Sequence, residues 1–166
     1  DFEKLVAKTE QLRAIGVHRF ALLLDDIPKT LDSAADRVRF RNDVGAAQAF
    51  LVNRYAAYLR EKEPGYPLIV VPTEYYDLAT STYKNSFAAA VASDVIVYWT
   101  GEGVLTRTLT PDQARRAISL WRHSILMWDN YPVNDYAREQ LLLGPLEDRD
   151  DLSALVNQPV DGAASA

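Results

Sequence analysis

The sequence predicts an α/β protein built on a parallel sheet. Short aliphatic runs of strand length, around residues 17–24, 68–71, 94–99 and 124–128, alternate with longer stretches whose apolar residues recur at helical spacing. Strands alternating with helices imply right-handed βαβ units, and therefore parallel strands. The first run is apolar nearly throughout, which predicts that both of its faces are covered, as in a sheet with outer helices. Four or five strands in this length fit an open doubly wound sheet. They fit equally well just over half of a (β/α)8 barrel, which typically needs ~250 residues.

Composition narrows the class. The 166 residues suit one domain, and 48% hydrophobic with 25% charged residues supply a sizeable core. A net charge of −5, with no lysine or arginine stripe, argues against a nucleic-acid partner. The absence of cysteine excludes disulfides, thiolate metal sites and a cysteine nucleophile. No apolar run reaches the ~18 residues of a membrane span. The chain opens on Asp1-Phe2-Glu3-Lys4, already in a helical pattern and without methionine or signal peptide. It reads as a single domain over 1–166 that is a piece of something longer.

Taken in order, Phe2, Leu5, Val6, Leu12 and Ile15 form the apolar stripe of a first helix, which Gly16 ends. Val17–Leu24 is the first strand, with His18 at its start as a surface residue. Residues 28–42 are polar and read as a loop over the strand's exit. Residues 43–63 form a long helix whose face carries Val44, Ala47, Phe50, Leu51, Tyr55, Tyr58 and Leu59, broken by Pro64-Gly65. Leu68–Val71 is the second strand, stopped by Pro72. A polar loop from 77 leads to a short helix at Ser86–Ala92, then a third strand at Asp94–Trp99 and a turn at Thr100–Gly103. Thr110-Pro111-Asp112-Gln113 starts a helix with a threonine cap, proline at the first helical position and a glutamine three residues after the cap. That helix runs to about Trp121, on its apolar face. Ser124–Trp128 is the fourth strand. A short helix at 136–144, a helical turn at 150–155 and a last strand opening at Val156-Asn157 complete the pattern.

The chemistry concentrates at the strand exits. Each run turns from aliphatic to polar and aromatic at its carboxyl end: Asp25-Asp26, Thr73-Glu74-Tyr75, Trp99-Thr100-Gly101 and Trp128-Asp129-Asn130. In a parallel sheet these ends share one rim, which is where α/β proteins build their sites. Asp25 and Asp26 are the central candidates. Acid–base work needs two carboxylates in different environments, one ionised and one able to carry a proton near neutrality. Adjacent strand residues point to opposite sides, so both reach one ligand only where the backbone turns, as Ile27-Pro28 requires. Tryptophan, tyrosine, asparagine and aspartate together suit a sugar. Aromatic rings pack on its apolar face while carboxylates and amides hold its hydroxyls. Trp99 reads as core rather than site.

Ala21–Ile27, Val71-Pro72-Thr73-Glu74-Tyr75, Trp99-Thr100-Gly101, Trp128-Asp129-Asn130, Asn134-Asp135-Tyr136 and Leu143-Gly144-Pro145 occur in an order and at intervals that resemble glycoside hydrolase family 84. That family comprises the O-GlcNAcases and the bacterial β-N-acetylglucosaminidases once called hyaluronidases. The resemblance spans nearly the whole chain. It implies part of a (β/α)8 TIM barrel, about strands 4 to 8 with their helices. It also implies a retaining exo-β-N-acetylglucosaminidase that needs no protein nucleophile, metal or other cofactor. In such substrate-assisted hydrolysis the sugar's acetamido oxygen attacks C1 and forms an oxazoline. By resemblance Asp25 accepts the acetamido N–H, and Asp26 protonates the leaving oxygen and later activates water. Tyr75 donates to the acetamido oxygen, Trp128 walls its pocket, Asn130 positions the reacting end and Asp135 holds hydroxyls at the far edge. The family's Asn-Pro stands here as Asn157-Gln158-Pro159, so that role falls to Asn157 or Gln158, and Glu102 replaces a usual proline. The implied partner is an N-acetylglucosamine-bearing glycan or glycoprotein, and a secreted or bacterial cell-surface setting is favoured. Two other readings remain open. One is a fragment or degenerate barrel that grips GlcNAc without cleaving it. The other is a Mg²⁺-dependent phosphotransfer enzyme in which Asp25 and Asp26, with Glu74 and Asp129, supply oxygen ligands.

Overall fold

The computed structural model describes residues 2–130 together with Arg149 and Leu152. Helices and strands alternate: α1 (Phe2–Arg13), β1 (Ala21–Leu23), α2 (Ala34–Arg39), α3 (Val44–Lys62), β2 (Ile69–Val71), α4 (Thr82–Ala90), β3 (Ile96–Trp99), α5 (Pro111–Trp121) and β4 (Ile125–Met127). The four strands are all parallel and lie in the order β1-β2-β3-β4. A doubly wound sheet reverses its strand order at a switch point. Here the order never reverses, α3 packs on α4 and α4 on α5, and the sheet is an arc of a (β/α)8 barrel wall with its helices in sequence outside.

The register sorts side chains into two faces. Leu22, Val70, Val97 and Ile125 align across the sheet, and Val70, Val97 and Ile125 are almost fully buried beneath the helices. Their neighbours along each strand point the other way, because strand side chains alternate. Leu23 on that inner face is 56% exposed. Among the described residues, the expected cover over the inner face of β1 is not present: β1 lies at the edge of the described sheet, and no further described strand stands opposite that face.

Local chemistry explains most element boundaries. Thr110 caps α5 by accepting from Gln113 N–H, and Gln113 Oε1 accepts in return from Thr110 N–H at 2.8 Å, the expected capping box. Trp121 is fully buried at the far end. Ser81 caps α4, so that helix starts at Thr82 rather than Ser86. Ser33 caps α2, a six-residue helix inside the segment expected to be all loop. In α3 the buried face is Gly45, Gln48, Ala49, Val52, Tyr55, Ala56 and Leu59, rotated from the expected stripe. Small residues face α4 and let the helices approach closely. Phe50 is turned outward, where it meets Phe40 (centroids 5.7 Å apart) and lies under the Arg39 guanidinium. Ile15 lies beyond α1 and is 77% exposed, so it is not part of that helix's stripe.

His18 is tied to the amino-terminal end of the fold rather than standing free. Its Nδ1 lies 2.9 Å from Glu63 Oε2, and Arg13 Nε donates to Glu63 Oε1 at 2.5 Å. The Arg13 guanidinium, reinforced by His18, holds the Glu63 carboxyl below its ordinary value. Arg60 lowers Asp94 in the same way.

Two outcomes follow from this packing. A Cβ at Gly45 meets the Tyr83 carbonyl oxygen and Ser86 Oγ. Gly45→Ala gains ~1 kcal/mol of helix propensity but incurs ~1–3 kcal/mol of overpacking. Denaturant titration is expected to show net destabilisation, because the backbone oxygen cannot rotate away. The lowered Glu63 and Asp94 carboxyls contribute stability that is present above the ordinary carboxylate range and lost as pH falls through their depressed folded values. Urea midpoints measured at near-neutral and at strongly acidic pH are expected to differ less in Glu63→Gln than in the parent.

Candidate active site

The β1 exit is anchored by a buried chain of hydrogen bonds. Leu24 N–H donates to Val71 O at 2.8 Å, extending the ladder one residue past the strand. Thr73 Oγ1 then donates to Leu24 O at 2.6 Å and accepts from Gln48 Nε2 at 2.7 Å. Gln48 Oε1 accepts from the Tyr83 hydroxyl at 2.5 Å, and that hydroxyl accepts from Thr73 N–H at 2.9 Å. Gln48, Thr73 and Tyr83 are all buried. Burial raises the Tyr83 phenol well above its ordinary value, so it stays a neutral donor.

Immediately beyond Leu24, the chain turns at Asp25 and Asp26. Leu24 faces the helices, and the chain leaves the strand at the next residue, so Asp25 stands at the rim where β1 ends. Asp25 is half-buried and Asp26 exposed. Two adjacent carboxylates thus stand in different surroundings at one strand exit.

The neighbouring exits supply an aromatic platform. Tyr75 stacks on Trp128, with centroids 6.0 Å apart and planes at 26°. Tyr76 stands edge-on to Tyr75 at 5.4 Å, and Tyr98 edge-on to Trp128 at 5.9 Å. All four rings are half-buried. The structure therefore brings Tyr75 and Trp128 together as expected and adds Tyr76 and Tyr98. Trp99, by contrast, is fully buried and donates Nε1–H to Asp77 O at 3.2 Å. Asn130 follows Trp128 at the same exit and is half-buried. Asp135 and Asn157 lie outside the described residues, as do the elements expected at 136–144 and 156–157.

The other acids of the rim have structural partners. Glu74 accepts from Lys29 Nζ at 3.0 Å and from Ser81 Oγ at 2.5 Å. Asp129 takes a two-pronged contact from Arg149, at 2.6 and 3.0 Å. A carboxylate already paired with a lysine or arginine is a poor oxygen ligand for a dication, which weakens the Mg²⁺ reading. Gly101 has φ +107, and a Cβ there would come within 2.6 Å of Thr106 Cβ, so its conformation serves the packing of the turn.

A profile of the family described as NAGidase, beta-N-acetylglucosaminidase, matches residues 1–165. Protein O-GlcNAcase of Mus musculus is 29% identical over 151 residues, covering 87% of this chain and 16% of its own length. The Rattus norvegicus protein gives the same identity and coverage. Among solved structures, CpGH84B is 31% identical with a TM-score of 0.78, covering 93% of this chain and 27% of its own. An O-GlcNAc hydrolase mutant of Thermobaculum terrenum is 27% identical with a TM-score of 0.75, covering 81% and 29%. The chain thus spans 16% of the curated relatives it matches.

Thr73→Val keeps the shape of the side chain but strips its hydroxyl, leaving Leu24 O and Gln48 Nε2 buried without their partner. The expected loss is about 1–3 kcal/mol, read from urea denaturation, with Thr73→Ser retaining most of the parent stability.

Proposed function

The chain belongs to the beta-N-acetylglucosaminidase family, glycoside hydrolase family 84, and from that membership we propose that it forms part of the catalytic barrel of a retaining exo-β-N-acetylglucosaminidase. The observation that carries the reading is the pairing, on one rim, of the Asp25-Asp26 turn with the stacked Tyr75–Trp128 platform. The substrate is a glycan or glycoprotein ending in N-acetylglucosamine, and residues 1–166 act as one unit within the barrel.

In the first step the acetamido oxygen attacks C1, and the bond from C1 to the leaving oxygen breaks. Asp26, the more exposed acid, gives its proton to that oxygen. Asp25 accepts the acetamido N–H and stabilises the positive charge of the oxazoline. Tyr75 donates its hydroxyl to the acetamido oxygen and so aims it at C1. Trp128 supplies the flat wall against the acetamido group, Asn130 steadies the reacting end, and Asp135 and Asn157 or Gln158 hold hydroxyls. In the second step Asp26 takes a proton from water as the water attacks C1. The C1–oxygen bond of the oxazoline breaks, restoring the acetamide. Two inversions at C1 leave the β configuration unchanged.

The roles of the two acids separate by leaving group. In the full-length protein, Asp26→Asn is expected to slow release of an unactivated alcohol about 10²–10⁴-fold, the usual contribution of a general acid. It is expected to slow release of an activated aryl group much less, because that group departs without protonation. Asp25→Asn is expected to slow both, since oxazoline formation precedes either departure. Equal loss on both substrates for Asp26→Asn would remove it as the acid. Intact sugar bound by the parent enzyme, without turnover, would replace the hydrolase reading with that of a binding fragment.

A further inference from the structure

Lys84 is the only buried lysine among the described residues, with 1% of its surface exposed. A buried ammonium is costly unless its donors are all met. Lys84 Nζ has three donors, and three acceptors meet them: Tyr76 O at 2.9 Å, Ala79 O at 3.1 Å and the Asp77 carboxylate. All three belong to the segment that directly follows Tyr75.

That segment is stitched to the next strand exit. Asp77 holds φ +60, a left-handed conformation that aspartate adopts with a local hydrogen bond, here from Ala79 N–H to its Oδ1 at 2.9 Å. In that conformation its N–H donates to Gly101 O at 2.8 Å, and its carbonyl accepts from Trp99 Nε1 at 3.2 Å. Thr100 N–H donates to Tyr75 O at 3.3 Å. The backbone from the Tyr75 carbonyl to Asp77 is therefore held, and the Tyr75 ring lies against Trp128. Without the ammonium, the Asp77 carboxylate, already 38% exposed, keeps only the Ala79 N–H as a partner among the described residues, and the Tyr76 and Ala79 carbonyls lose the donor that ties them together.

We propose that Lys84 is a positioning residue that fixes the 76–79 segment from beneath and thereby sets the angle at which Tyr75 meets the acetamido group of the substrate. The proposal rests on the assignment of Tyr75 made above. It assigns Lys84 no contact with the sugar, so its effect passes through Tyr75.

A double-mutant cycle in the full-length protein tests this, with an activated aryl N-acetylglucosaminide as substrate. Lys84→Met and Tyr75→Phe are each expected to lower kcat about tenfold or more while leaving KM within about twofold, because orientation for attack is lost rather than ground-state binding. The double variant is expected to fall no further than Tyr75→Phe alone, within about twofold. Multiplying losses, with Tyr75→Phe itself impaired, would overturn the proposal and leave the assignment of Tyr75 standing. Parent-like kcat in Tyr75→Phe would overturn that assignment and the proposal with it. Melting temperatures separate a purely structural effect, which lowers stability equally in both backgrounds without this non-additivity. If Lys84→Met does not fold, Asp77→Asn removes the charge of the pair at a partly exposed side chain and runs through the same cycle with the same criteria.

Discussion

The candidate site depends on a chain of hydrogen bonds that starts on the helices and ends at a single carbonyl. Tyr83 of α4 and Gln48 of α3 meet at Thr73, and Thr73 holds Leu24 O at 2.6 Å, one residue before Asp25. Helices can slide and rotate on a sheet when the interface is only apolar, because such contacts are non-directional. A buried polar chain removes that freedom, since each member is satisfied only in one arrangement. The β1 exit is thus fixed not by its own short strand of three residues but by two helices acting through β2.

Charge is distributed over the rim in the same spirit. Glu74 and Asp129 are neutralised by Lys29 and Arg149 and brace the loops. Lys84 is neutralised by Asp77 and two carbonyls beneath the Tyr75 segment. Asp25 and Asp26 are different, for neither makes an ion pair with another described residue. The rim therefore separates acids tied into its loops from two acids that make no ion pair with a described residue.

Much of the fold was legible because it follows local rules. The α5 capping box, the breaks at Gly16 and Pro64-Gly65, and the aliphatic strands were readable from a few residues each. The rotation of α3 was not. Phe50 looks like a core residue by hydrophobicity, yet the tight approach of α4 favours Gly45, Ala49 and Ala56 at the interface and turns the aromatic ring outward. At the site, the motifs pointed to Asp25, Asp26, Tyr75 and Trp128 because successive strands turn there from aliphatic to polar and aromatic residues, in an order that resembles one family. Gln48, Tyr83 and Lys84 escaped notice because each sits inside a helix, where a polar residue usually faces water. The available signal was Gln48 standing between Val44 and Val52 on one helical line, a polar residue where the pattern calls for an apolar one.

The two tryptophans next to the rim show how strand parity sends one side chain to the core and another to the inner face. Trp99 has the parity of Val95 and Val97, both fully buried, and so points at the helices. Trp128 has the parity of Leu126, which pairs with Tyr98, and so points to the inner face. Composition treats the two residues alike, and both stand at a strand exit. Only the count of two along each strand separates them, and the register turns that count into a place. The same count commits Leu24 to the core, and the turn at Asp25 begins directly after it. A one-residue slip in β1 would turn Leu24 out of the core and shift the turn at Asp25 out of line with the β2 exit. The hydrogen bond from Thr73 to Leu24 O, made to one carbonyl and to no neighbour, prevents that slip.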